Sequence, residues 1–147
     1  SSEFQPVTDI HVGVVSSSLG AHGGEVCQGP APLNDAAHLI PSVRVPAPAS
    51  DGNGFLWWNP GDGAFGDAEV TAFADRFQAH VQAAGEDGCG FEASLESWYR
   101  FLMDPAPPAQ VVKQGNQTVA SGLDEELLQQ RRDFVRADSL VAMRARL

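Results

Sequence analysis

The run Ile10-His11-Val12-Gly13-Val14-Val15, ending in Ser16-Ser17-Ser18, decides the reading of the fold. It is short and β-branched. Such a run reads as a strand covered on both faces, as in a parallel α/β sheet. Phe55-Leu56-Trp57-Trp58 reads as a second short apolar strand, stopped by Asn59-Pro60. His38 to Val45 is a weaker extended candidate, interrupted by Pro41. Val111-Val112-Lys113 and Thr118-Val119-Ala120, joined through Gly115-Asn116, read as a small exposed hairpin.

Three helices are predicted around these strands. Val70, Phe73, Phe77, Val81 and Ala84 recur at helical spacing and form one apolar stripe. Asp67 suits its N-cap, Glu69 its first turn and Gly85 its C′ position. The stripe is expected to face Val12–Val15. A second helix holds Phe91, Leu95, Trp98 and Leu102, with Tyr99 and Phe101 beside them, and ends before Pro105. It is apolar on much of its circumference, so deep packing is expected, with Leu95 and Trp98 in the core. A third begins at Ser121, with Asp124 three residues on in a variant of the capping box. Leu123, Leu127 and Phe134 line it, and it fades at Ala137-Asp138. Ser139-Leu140-Val141-Ala142-Met143 then reads as the entry to another strand. A buried strand does not normally stop at Arg144-Ala145-Arg146-Leu147, so a cut or altered C-terminus is expected.

The chain has 147 residues, enough for one domain with a real core. There is no internal repeat, and Gly and Pro concentrate in loops between patterned segments. Nineteen acids against nine Lys plus Arg give a formal charge of −10. That balance argues against nucleic acid and anionic membrane surfaces as partners. No apolar run approaches the roughly 20 residues of a membrane span. Ser1-Ser2-Glu3-Phe4-Gln5-Pro6 carries neither a basic n-region nor an apolar h-region, so either the protein is not exported or its signal lies outside this stretch. Two cysteines, Cys27 and Cys89, allow one disulfide and cannot alone make a structural zinc site.

Several short motifs are weak on chemical grounds. Gly61-Asp62-Gly63-Ala64-Phe65-Gly66 fits a dinucleotide fingerprint, but Asp62 would put negative charge in the phosphate cradle. A helix, not the ribose-binding strand, also follows. Asp51-Gly52-Asn53 opens like a calcium loop with Asp62 at position twelve, yet Phe55 and Leu56 stand where an oxygen ligand and a glycine are needed. Ser18-Leu19-Gly20 after a strand is a poor nucleophile elbow, because Ser16 replaces the first glycine. Cys89 precedes a helix whose dipole would lower a thiol pKa, but His11, His22, His38 and His80 all lie upstream with no readable pairing. His22, Cys27 and His38 lack short metal-ligand spacing. Asn116-Gln117-Thr118 fits a glycosylation acceptor, relevant only in a eukaryotic secretory route.

Four segments taken in order carry a resemblance. They are Asp9 through Gly20, Gly54-Phe55-Leu56-Trp57-Trp58, Gly88-Cys89-Gly90-Phe91-Glu92-Ala93-Ser94-Leu95-Glu96, and Leu127 through Leu140 with its Leu127-Leu128-Gln129-Gln130-Arg131-Arg132 opening. The chain resembles bacterial exported proteins carrying a von Willebrand factor A-like domain, from about residue 9 to 142. The resemblance implies an α/β, doubly wound sheet with about three helices. The His11–Ser16 strand would be the family's second and Phe55–Trp58 its adjoining third. Leu140 onward would start the fourth. Such domains bind protein ligands, often through a metal-ion-dependent adhesion site. This chain has no Asp-x-Ser-x-Ser motif, reads Gly88-Cys89-Gly90-Phe91-Glu92 where the family offers a Thr, and ends in Arg144-Ala145-Arg146-Leu147 where it offers an acidic loop. No metal residue is carried over. Residues 1–147 are therefore expected to be a single partial domain lacking the central first strand.

By the same resemblance, the loop holding Cys27 and the turn holding Cys89 belong on one face of the sheet. That implies a Cys27–Cys89 disulfide, against a packed Cys89 or a partner cysteine outside the chain. The function expected is non-enzymatic, adhesion-type binding of an unknown protein or surface ligand, by an extracytoplasmic monomer without cofactor or metal. The alternatives are a small exported hydrolase using Ser18 or Cys89 with a histidine, or a truncated fragment without independent function.

Overall fold

The computed structural model describes Val7, residues 9–21, Cys27, residues 34–59 and residues 66–144. Their elements are β1 (Ile10–Val12), α1 (Ile40–Val43), β2 (Leu56–Trp58), α2 (Asp67–Ala84), α3 (Ser94–Leu102), β3 (Gln110–Gln114), β4 (Gln117–Ser121) and α4 (Glu125–Phe134). The architecture is mixed α/β, with two small antiparallel sheets, β1–β2 and β3–β4. β1 and β2 are neighbours in the register Ile10↔Trp58, His11↔Trp57 and Val12↔Leu56. Their pairing is antiparallel, where a parallel sheet is expected from the apolar run. The strand is also half the expected length. At Gly13 the chain closes on its neighbours so tightly that a Cβ would stand 2.7 Å from Leu39 Cδ2 and 3.1 Å from Phe134 Cε2. Beyond it, Val15 makes only an isolated bridge to Leu39, and Ile40 N–H donates to the Val14 carbonyl at 2.9 Å. The apolar run is thus covered by a loop and α4, which periodicity cannot tell from burial between strands and helices.

Pro41 opens a helix rather than interrupting a strand. It occupies the first turn of α1, where its missing N–H costs nothing and its fixed φ suits the helix. The structure therefore has four helices among the described residues, one more than the sequence reading gives. The hairpin is as expected. Gly115 and Asn116 join β3 to β4, and only Gly115 takes a positive φ (61°), the requirement of a type II′ turn.

α2 ends as predicted, with Gly85 capping it at φ 66°. Its N-cap is Gly66, so Asp67 lies inside the first turn. Its stripe does not face Val12–Val15. Phe73 instead meets Trp58, ring centroids 5.0 Å apart, and the helix lies against α1 and β2. Eighteen helical residues span about 27 Å, whereas a strand of three covers about 10 Å. The sheet is too short for its helix, and Val70 and Phe77 stay 49% and 41% exposed.

α3 departs furthest from expectation. Its buried residues are Ser97, Arg100 and Phe101, while Leu95 is 78% exposed and Trp98 only half-buried. The helix is held by its C-terminal end. Arg131 of α4 donates to the carbonyls of Phe101 (2.5 Å), Arg100 (2.6 Å) and Asp104 (2.7 Å). Those are orphan acceptors of a helix terminus, and a fork of guanidinium donors suits them. Burial pushes the Arg131 pKa down, against the nearby Asp104 charge. Arg131→Ala should cost about 2 kcal/mol, the scale of hydrogen bonds to a charged group, with Arg131→Lys restoring only part. Urea midpoints check this, and an unchanged midpoint for the alanine variant would count against the clamp.

α4 begins one cap later than the sequence suggests. Asp124 itself is the N-cap, its Oδ1 accepting Leu127 N–H at 3.0 Å. Leu127 is fully buried, Phe134 is half-buried, and Leu123 is 43% exposed. The core gathers Leu19, Ala37, Leu39, Phe55, Phe101 and Leu127. Phe134 ties it to its edge, with ring centroids 5.7 Å from Phe55 and 5.6 Å from Phe101. Residues 140–144 form no strand, and the Leu140 side chain is fully exposed. Residues 145–147 lie outside the described residues.

Candidate functional site

The loop from Asn34 to His38 builds a polar cluster. Asn34 Oδ1 accepts Ala36 N–H at 2.8 Å, the local bond typical of an Asx turn. Ala36 and Ala37 follow with φ of 52° and 65°, a conformation that disfavours any residue with a Cβ. Such strain persists only where its surroundings over-determine it. Here Asp35 N–H donates to Ser18 O at 2.8 Å, and the buried Asp35 carboxylate binds Arg44 Nη2 at 2.6 Å. Its Oδ2 also takes the Ser16 hydroxyl.

His38 follows immediately and turns toward α4. Its Nε2 lies 2.7 Å from Asp124 Oδ2, and its Nδ1 lies 3.9 Å from Glu126 Oε1. The His38 and Asp124 side chains are both about nine-tenths buried. They line, with Asp35, Glu125 and Glu126, an open hollow of about 440 Å³. Asp124 does two jobs: it caps α4 and holds an imidazole. Gln130 completes the joint, its Oε1 accepting Leu39 N–H at 3.0 Å and its amide donating to Ser42 Oγ at 2.7 Å. Sequence spacing could not find the His38–Asp124 pair, because 86 positions separate its members.

The Ser18 side chain is buried, and its Oγ accepts Cys89 N–H at 3.1 Å. Cys27 and Cys89 stand at disulfide distance, Cα–Cα 5.1 Å. His11 Nδ1 meets Phe134 O at 2.7 Å, and His80 Nε2 meets Ala49 O at 2.9 Å. The described histidines are thus each held by a different segment and do not converge. Among the described residues, no group of three or more His, Cys, Asp or Glu is placed to hold a metal ion. Asp51 forms an ion pair with Arg76 at 2.5 Å and accepts Trp57 N–H at 2.9 Å. Residues 61–65 of the 61–66 glycine motif, His22 and the Asp62 end of the calcium-like loop lie outside the described residues. Among the described residues, no helix is long and apolar enough to cross a membrane.

α3 presents an open apolar surface. Phe91, just before the helix, is 59% exposed, followed by Leu95 at 78%, Tyr99 at 50% and Met103 at 69%. Spacing of four places Leu95, Tyr99 and Met103 on one helical side. Of these, Leu95 is the one the sequence reading assigns to the core. Ser17 Oγ hydrogen-bonds Glu92 Oε2 beside this face, and the Arg131 fork fixes its far end. No family model, curated protein or solved structure matches the chain.

Proposed function

We propose that the chain is a non-enzymatic, adhesion-type domain that binds a protein ligand through α3. The exposed row Leu95, Tyr99 and Met103, with Phe91 before it, carries the reading. Single exposed hydrophobics are ordinary, but a contiguous row rich in aromatic residues and Met has the make-up of an interface core. The Ser18 hydroxyl is already engaged with the Cys89 amide, and Cys89 faces Cys27, which favours binding over a hydrolase built on either. The paired cysteines also favour an oxidising, extracytoplasmic setting. Adjacent β1 and β2 are compatible with an incomplete von Willebrand factor A-like sheet, the finer fold we propose.

Immobilised chain should retain a protein from a cell-surface extract of its source. Leu95→Asp should weaken that complex by at least about thirtyfold, the scale of an interface hot spot. Val70→Asp, on exposed α2, should leave it intact. Equal retention by the Leu95→Asp variant would refute the assignment to α3.

A further inference from the structure

Residues 86–104, which contain α3 and the turn before it, hold five carboxylates against one arginine and no lysine. Four of the five, Glu86, Asp87, Glu92 and Glu96, are exposed. Glu96 follows Leu95 and stands three residues before Tyr99, so its carboxylate borders the apolar row. Glu92 Oε2 takes its hydrogen bond from a neutral hydroxyl, Ser17 Oγ, which leaves its charge uncancelled. The one arginine, Arg100, is 5% exposed and reaches Glu96 only at 3.4 Å. Arg44, Arg76 and Arg136 are engaged with Asp35, Asp51 and Asp9. At the far end, Asp104 is opposed by the charge of Arg131. Negative charge therefore gathers beside the first half of the row.

The row and its charge together select an occupant. Leu95, Tyr99 and Met103 make one ridge of i, i+4, i+8 side chains, about 12 Å long. Such a ridge seats in the groove between the ridges of a second helix. An extended peptide suits it less. Along its length α3 satisfies its own backbone groups, so a strand laid on it would bury N–H and C=O groups with nothing to pair them. A helix arrives with those groups already bonded. Charge then decides which helix. A wholly apolar one would desolvate the bordering carboxylates without pairing them. A second copy of the chain would bring two acidic faces together, each on a molecule of net charge −10. An anionic membrane would be repelled in the same way. Lys or Arg residues beside an apolar stripe lay their stems along the row and carry their charged heads to its border. Resting on the assignment of binding to α3, we propose that the partner presents a cationic amphipathic helix. Its apolar stripe covers Leu95, Tyr99 and Met103, and its basic residues stand beside Glu92 and Glu96.

Fluorescence anisotropy of three labelled synthetic peptides, titrated with the whole chain at about 150 mM salt, tests this. One is a Leu–Lys amphipathic helix. The second keeps its stripe with Glu in place of Lys, and the third scrambles the Leu–Lys composition to break the stripe. The Leu–Lys helix should bind with a Kd of about 100 μM or tighter, and the other two at least about tenfold more weakly. Glu92→Gln with Glu96→Gln removes both charges but keeps an acceptor for Ser17 and for Arg100, and should weaken binding by about tenfold. Asp67→Asn with Glu69→Gln makes the same charge change on exposed α2, and should alter binding by less than about twofold. Leu95→Asp should abolish it, although it adds a negative charge. Equal loss from the two neutralised variants would mean that net charge alone draws the peptide, and would overturn the proposal. So would equal binding of the Leu–Glu or the scrambled peptide, or self-association of the chain that Leu95→Asp disrupts. Capture of a surface protein through Leu95, with no response to the Leu–Lys helix, would overturn the cationic helix and leave α3 as the binding face. Leu–Lys binding unchanged by Leu95→Asp would remove both.

Discussion

Asp35→Ala should lower the unfolding free energy by about 3–5 kcal/mol, the cost of breaking a buried ion pair from one side. Asp35 is wholly buried, and Arg44 reaches it with Nη2 at 2.6 Å and Nε at 3.2 Å. The Arg44 side chain is itself about nine-tenths buried, and Nη1 donates to a neutral carbonyl, Asp87 O, at 3.0 Å. Removing the carboxylate leaves a guanidinium with no counter-charge in a place water barely reaches. The pair is an expensive one even when intact, because Asp35 Oδ1 has no hydrogen-bond partner among the described residues. The double variant Asp35→Leu, Arg44→Met should therefore recover most of the loss and end within about 2 kcal/mol of the parent. Denaturation midpoints of the three proteins decide it. A single variant costing under about 1 kcal/mol would mean that Asp35 is solvated. A double variant as unstable as the single would mean that packing, not an orphaned charge, sets the cost.

The local signals in the sequence hold where they depend on neighbours in the chain. Gly85 stops α2 and Gly115 turns the hairpin, since each is a backbone requirement met within a few residues. What fails is the inference from apolarity to position. Leu95 and Tyr99 sit on the same helix as Phe101, yet only Phe101 enters the core, because the Arg131 fork fixes which side of α3 turns inward. Apolar composition around the whole circumference cannot encode that choice. Pro41 fails for a related reason: its restriction of φ is common to extended chain and to a helical first turn. The polar cluster was not legible at all. Asp35 reads as a turn residue, and its meaning comes from Arg44, Ser16 and the Ala36-Ala37 backbone closing around it. His38 was visible as a histidine, but its partner comes from a cap on the far side of the chain.

Oxidised protein should lose about 4 kcal/mol of stability when the Cys27–Cys89 bridge is removed. Their Cα atoms are 5.1 Å apart, within the range a disulfide spans. The sequence separation of 62 makes the closed loop long, and in the chain-entropy model a loop of that size gives about 4 kcal/mol. The constraint falls where ordinary core is thin: the β1–β2 sheet is two strands of three residues, and Cys89 links the turn before α3 to the Ser18 end of the first apolar run. A bridge there limits the unfolded ensemble across the segments that must find one another. Non-reducing peptide mapping of protein made under oxidising conditions should recover one cross-linked pair, and two freely alkylatable thiols would remove the premise. The magnitude has its own check. If the gain comes from the unfolded chain, reduced parent and the Cys27→Ser, Cys89→Ser variant should fall by the same amount. If Cys89 matters as a packed side chain, only 3% exposed, the serine variant should fall further than reduced parent, because a hydroxyl would replace sulfur in an apolar site. Equal stability of oxidised and reduced parent would place the order of this region in its packing and hydrogen bonds instead.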